Sequence, residues 1–500
     1  MHNESIAALR ERLGAVADVN AAIALLQWDQ EVYMPPKGAE ARGKQLATLS
    51  AMAHRLFTDP EVGGLIDACA ASTNGLSYAD ARLVDVARYD YERATKLPES
   101  FVREFAEACS AAFERWVKAR QDSDFAQFKP HLAKLVELAR RKADYLGYEG
   151  SPYNALLEEF ERGMTAERLK VIFSELAAKQ SALVERILAS PIQPDTSWME
   201  GEWDVQAQWD FGMRVLRDLG YDLEAGRQDK SVHPFSTIFA IDDVRITTRF
   251  DSSEPFSSLT GTIHECGHAL YMQGHDREDA RTPLADGASL GMHESQSRMW
   301  ENIIGRSLPF WKHYTPIIKR YHKRRMSRVT PEQIYAALNR VRPSLIRVEA
   351  DECTYNLHII IRFEIEVGLI EGSIGVDDVP EAWNAKVKQY LGLDVPDDAH
   401  GCLQDIHWSH GAFGYFPTYA LGNLYAAQMF EVIEKQLPTL WRDVGKGNFK
   451  PLLDWLRQNV HRHGRRKLAT ELIRDITGTD PSSEAFLRYL ETKYRSLYGV

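Results

Sequence analysis

The sequence predicts a mainly α-helical protein, and two observations carry that expectation. Apolar residues recur three and four positions apart along most of the 500 residues. Only residues 231 to 250 break the pattern, being rich in Ile, Thr, Val and Phe with partial alternation. In chain order, ESIAALRERLGAVADVNAAIALLQW, FVREFAEACSAAFERWVKA and FKPHLAKLVELARRKADYLG all follow the helical period. The stretch SVHPFSTIFAIDDVRITTRF then predicts short strands, a small sheet or hairpin. Near residue 330, VTPEQIYAALNRV carries a helix start signal, with Thr330 as N-cap, Pro331 in the first helical position and Gln333 able to close a capping box. LGYEGSPYN, EGSIGVDDVP and LGLDVPDDAHG read as loops between helical blocks. Length alone gives a soft expectation of about three domains. No linker divides the chain and no repeat recurs, so residues 1 to 500 read as one large helical domain with a small β-sheet.

Composition excludes several classes of function. A hydrophobic content of 44% with 26% charged residues describes a folded globular chain. A net charge of -11 argues against nucleic acid as a partner, since phosphate binding needs a basic surface. No apolar run approaches the roughly 18 residues of a membrane span, and the N-terminus MHNESIAALRERLGAV lacks the form of a signal peptide. Cys69, Cys109, Cys266, Cys353 and Cys402 are scattered and form no C-x-x-C pair, which fits reduced thiols in the cytoplasm. The basic runs KRYHKRRMSR and HRHGRRK read as a solvated helix face and a surface loop.

The chemistry concentrates in GTIHECGHALYMQG, residues 261 to 274. On a helix, His264 and His268 lie one above the other and can direct two imidazoles at one point. Glu265 is rotated by about 100°, free to reach a water there instead of ligating. Gly267 keeps the helix surface low, Ile263, Ala269 and Leu270 face the core, and Cys266 points away from the histidine face as a packing residue. A catalytic metal commonly takes three protein ligands and keeps one position open. ADGASLGMHESQSRMWENIIG supplies the third from His293, Glu294 and Glu301, and Glu294 at the helix start is the choice. Its plainer alternative is a first-turn glutamate favoured by the helix dipole. The His–His–Glu set suits one divalent ion, Zn2+ first, with Co2+ or Mn2+ also able to occupy it.

HECGH followed by GMHESQSRMWEN, with HPF at 233 to 235, DVRITT at 243 to 248, IRVEAD at 346 to 351 and GCLQDIHW at 401 to 408, resembles the carboxypeptidase Taq family of metallocarboxypeptidases. The likeness extends from LLQWDQEVYMPPKGAEARGKQ near the N-terminus to HGAFGYFPTYALGNLYAAQMF near the C-terminus. It implies a helical fold with a long active-site cleft, a homodimer, and removal of single residues from the C-termini of peptides with broad specificity. Glu265 is then the base acting on the water. For the oxyanion, QDIHWSHGAFGYFPTY offers His407, His410, Tyr415 and Tyr419, with Tyr415 and His410 preferred over plain aromatic packing. Arg347 in IRVEAD is the candidate for the substrate's terminal carboxylate; the residues alone equally permit a salt bridge to Glu349 or Asp351. His233 reads as structural, Asp243 as able to orient an imidazole, and Arg245 as able to pair with a neighbouring acid. An oligopeptidase or dipeptidase on the same metal chemistry, and a non-enzymatic protein with a structural metal, are the alternatives.

Overall fold

The computed structural model describes residues 2 to 71 and 75 to 500. Helices dominate, as the period predicts, and the three quoted segments fall in helices His2–Val32, Glu99–Asp122 and Phe125–Leu146. At residue 330 the capping box is present: Gln333 N donates to Thr330 Oγ1 at 3.2 Å and Thr330 N to Gln333 Oε1 at 2.9 Å. Among the described residues no helix is long and apolar enough to cross a membrane.

Two apolar clusters organise the packing. The smaller joins the first helix, through Ile6, Leu9 and Leu13 on one face, to Val62 and Ile66 of Pro60–Ala70 and to Leu83, Val84 and Ala87 of Tyr78–Lys96. One further member, Leu284, arrives from far along the chain. The larger cluster takes in the helices from Glu99–Asp122 to Glu484–Tyr498 and contains Trp300, Trp311 and Trp383 fully buried.

The sheet has three strands, β1 (Gln228–Lys230), β2 (Ser236–Ala240) and β3 (Asp243–Thr248), in the order β1-β3-β2. β2 pairs antiparallel with β3, as the alternating stretch predicts, while β1 pairs parallel with β3 and begins before that stretch. Thr248 Oγ1 donates to Ser258 O at 3.0 Å, tying the sheet to helix Ser257–Gln273. That helix buries Leu259, Ile263, Cys266 and Leu270, a stripe at helical spacing, so His264 and His268 fall on its flank.

The next helix, Leu290–Arg298, is N-capped by Ser289, whose Oγ accepts from Met292 N at 2.9 Å. Buried Glu161 accepts a second first-turn donor, Gly291 N, at 3.0 Å and the Tyr425 hydroxyl at 2.8 Å. The helix runs on as a π-helix over Met299–Gly305, a form that recurs at functional sites. Two glycines set its depth. A Cβ on Gly267 would meet Gln296 O and Ser297 Cα at 2.6 Å, and one on Gly422 would meet Glu294 Cγ at 2.5 Å. The segment between the two helices reaches back to the N-terminal helices, where Leu284 enters the smaller cluster and Arg281 Nε donates to Asp18 Oδ1 at 2.9 Å.

Gly267→Ala is expected to destabilise the fold by about 2 kcal/mol, because overpacking outweighs a gain of about 1 kcal/mol in helix propensity. Urea unfolding checks this, and an unchanged or higher midpoint would contradict the backbone-to-backbone contact.

Candidate active site

The close helix approach brings three side chains to one point. Glu294 Oε2 lies 3.6 Å from His264 Nε2 and 3.5 Å from His268 Nε2, and the three ligand atoms all lie within 4.8 Å of one another. A tetrahedral ion with bonds of about 2.1 Å spaces its donors about 3.4 Å apart. The residues therefore fit a divalent metal in both chemistry and spacing. Glu294 occupies the second turn of its helix, not the first, which removes the dipole reading of its position.

Each of the three side chains is held from behind. His264 Nδ1 faces Glu301 Oε2 at 2.9 Å, and Glu301 accepts from Arg306 Nη2 at 2.7 Å and Arg298 Nη1 at 3.4 Å. Arg298 Nε donates to Glu294 Oε1 at 2.7 Å, and Ser297 Oγ to Glu294 Oε2 at 3.1 Å. Burial opposes the charge on Glu294, but Arg298 and His264 outweigh it and hold the carboxyl far below its usual range. His268 Nδ1 meets His293 Nδ1 at 2.8 Å, and His293 Nε2 meets Met272 Sδ at 3.0 Å. If His268 offers Nε2 to a metal, its Nδ1 keeps the proton and His293 must accept it as a neutral ring. Burial, reinforced by His268, lowers the His293 pKa well below its ordinary value, which agrees.

Glu265 is buried beside the pair. Burial raises its pKa, with His264 and His268 pulling the other way. Cys266 is buried, and burial pushes its thiol up, as suits a packing residue. Tyr415 and Tyr419 stand with ring centroids 5.4 Å apart, and the charge of Glu294 acts on both hydroxyls. His407 is behind them, its Nε2 3.3 Å from the Tyr419 hydroxyl, and burial lowers its pKa to about 4. His410 is not brought to this group. It is exposed and stacks on Phe113 at 5.3 Å, where its turn ends in Gly411 with φ +66°.

Arg347 is buried and pairs with neither Glu349 nor Asp351. Its Nε and Nη2 both donate to Asp405 Oδ1, at 3.0 and 2.8 Å, and its Nη1 to the Tyr355 hydroxyl at 3.1 Å. Asp351 instead accepts from backbone donors of Arg342, Cys353 and Thr354. Arg362 Nε holds the second oxygen of Asp405 at 2.6 Å. His233 is exposed and outside the cluster, and Asp243 is taken by Arg245 through two bonds of 2.8 Å. HRHGRRK is no surface loop. His461 is fully buried with Nε2 3.0 Å from Gln296 Oε1, and Arg466 is paired with Asp279. In KRYHKRRMSR the residues Arg320, Lys323, Arg324, Arg325 and Arg328 are exposed, a solvated face.

The family model described as carboxypeptidase Taq (M32) metallopeptidase matches residues 8 to 494. The chain belongs to the M32 family. It is 43% identical over 491 residues to thermostable carboxypeptidase 1 of Thermus thermophilus, covering 95% of each chain. It is 40% identical over 486 residues to carboxypeptidase 1 of Bacillus subtilis, covering 97% of each. The crystal structure of the M32 carboxypeptidase from Deinococcus radiodurans superposes with a TM-score of 0.97 at 42% identity, over 99% of this chain and 100% of that one. An M32 metallocarboxypeptidase is a peptide hydrolase that works with a divalent metal.

Several residues of this candidate site escape sequence reasoning. Arg298 follows Glu294 by four positions, so helical spacing alone could have placed it on the same face. Tyr355 and Asp405 carry no comparable local signal, whereas His293 and Glu301, both weighed as a third ligand, instead stand behind His268 and His264. His293→Ala is expected to weaken retention of the divalent ion about 10- to 100-fold. Chelator competition at constant circular dichroism measures this, and an unaltered titration would reject the role given to His293.

Proposed function

We propose that this chain uses Zn2+ at His264, His268 and Glu294 to remove single residues from the free C-termini of peptides with broad tolerance. The observation that carries the proposal is the meeting of two imidazoles with one carboxylate, at 3.6 and 3.5 Å, beside a buried glutamate. His264, His268 and Glu294 would hold a divalent ion, which would polarise the scissile carbonyl and let a water ionise near neutral pH. Glu265 accepts that water's proton and passes it to the departing amine. Tyr415, with Tyr419 beside it, donates to the carbonyl oxygen as charge develops. His407 supports Tyr419 from behind, and His410 has no part in this step because it stacks on Phe113.

Arg347 receives the substrate's terminal carboxylate. Three of its N–H donors are engaged by Asp405 and Tyr355, which leaves one on each terminal nitrogen for a bidentate partner. Zinc is the ion of choice because two histidines and a glutamate form a recurring catalytic zinc set, with Co2+ or Mn2+ able to substitute. Five unpaired cysteines suit the cytoplasm, and the family likeness supports a homodimer, which light scattering against a chain mass of 56.8 kDa checks.

Metal-loaded protein is expected to shorten a free-acid peptide one residue at a time, and chelation to stop it, followed by mass; internal cuts or chelator-insensitive trimming would overturn the reading. Glu265→Gln should keep its metal while kcat drops about 10²- to 10⁴-fold. Arg347→Lys should lower kcat/KM for free-acid peptides about 10- to 100-fold, and equal handling of a free acid and its amide by the native enzyme would remove the carboxylate role.

A further inference from the structure

Tyr355 stands between two guanidinium groups with different tasks. The Arg298 guanidinium lies over its ring, 4.4 Å from the centroid, and the same Arg298 grips Glu294 Oε1 at 2.7 Å. At the other end of the ring the hydroxyl accepts from Arg347 Nη1 at 3.1 Å. An unbroken line of contacts thus runs from Glu294 through Arg298, Tyr355 and Arg347 to Asp405. We infer that Tyr355 is a positioning residue that fixes the separation between the metal-holding Glu294 and the carboxylate-receiving Arg347. The inference rests on the role of Arg347 proposed above.

Three features make the ring suited to this. It is rigid and almost fully buried, and it meets Tyr419 edge-on at 6.2 Å and 90°, so it has little room to swing. A guanidinium over a ring face is attracted by the π-system, so Arg298 is held at the ring's depth. The hydroxyl then takes a donor of Arg347 on the side that Asp405 does not serve, and this stops the planar fork from rotating in its ion pair. The support is itself anchored: Tyr355 opens helix Tyr355–Glu371, and Arg362, seven residues on along the same helix, grips the second oxygen of Asp405. One helix therefore holds Arg347 directly through Tyr355 and its counter-ion through Arg362. A carboxylate bound by Arg347 is placed at one distance from the metal site, and that distance selects the bond one residue in from the terminus.

The test uses the metal-loaded full chain with a free-acid peptide as substrate and the same peptide as its C-terminal amide as competitor. Tyr355→Phe keeps the ring under Arg298 and removes the hydroxyl. The expected result is a rise of about tenfold in KM for the acid, with the inhibition constant of the amide, kcat and metal content little changed. Tyr355→Leu removes the ring as well, and should additionally release metal to a chelator more readily than Tyr355→Phe. Three results overturn the inference: a fall in kcat at constant KM, which marks a hydroxyl acting on the reacting atoms; Tyr355→Phe indistinguishable from the native enzyme while Arg347→Lys loses the preference for the acid; or Tyr355→Leu and Tyr355→Phe with equal metal retention. If Arg347→Lys itself keeps that preference, the role of Arg347 fails first and takes this inference with it, and the two failures are told apart by that variant.

Discussion

Glu294 is 6% exposed and stays ionised because Arg298 is set against it, Nε to Oε1 at 2.7 Å. An isolated carboxylate at that depth would give up its charge by taking a proton, and a protonated carboxyl is a poor metal ligand. Arg298 also reaches Glu301 at 3.4 Å, so one guanidinium offsets the carboxylate that faces the metal site and the one that backs His264. Arg306 completes the balance at Glu301 Oε1. Buried ion pairs of this kind contribute little net stability, since desolvation cancels most of the attraction. Their value here is that they keep two carboxylates charged and aimed.

The same economy of space governs the helices. Gly267 lets helix Ser257–Gln273 touch the backbone of its neighbour, and Gly422 clears room for the Glu294 side chain from the opposite side. Any larger residue would push Glu294 away from the two imidazoles. The histidines are backed unequally, His264 by a carboxylate and His268 by a neutral imidazole, which limits the negative charge gathered around the metal site.

What the sequence made legible was mostly local. His264 and His268 share one helical turn, so spacing alone put them on a common face, and Glu294 lay within a helical run of chemistry-bearing residues. The helical class and the β2–β3 hairpin also rest on short-range periodicity. Contacts that join distant segments left no such trace. Arg347 was set against Glu349 and Asp351 because they are near in the chain, whereas its counter-ion, Asp405, is 58 positions away. HRHGRRK looked like a surface loop by composition, but Arg465 and Arg466 meet Asp90 and Asp279 from remote segments. His410 was grouped with His407 by proximity, but it is exposed and stacks on Phe113 instead.

Leu284 ties the N-terminal helices to the candidate metal site. It belongs to the segment that joins the helix of His264 and His268 to the helix of Glu294, yet it is fully buried and belongs to the apolar cluster of the N-terminal helices. Shortening the protein from its front end would strip the cover from that leucine and slacken the strap between the two halves of the metal site. The opening helices are thus part of the enzyme's working frame and no detachable appendage.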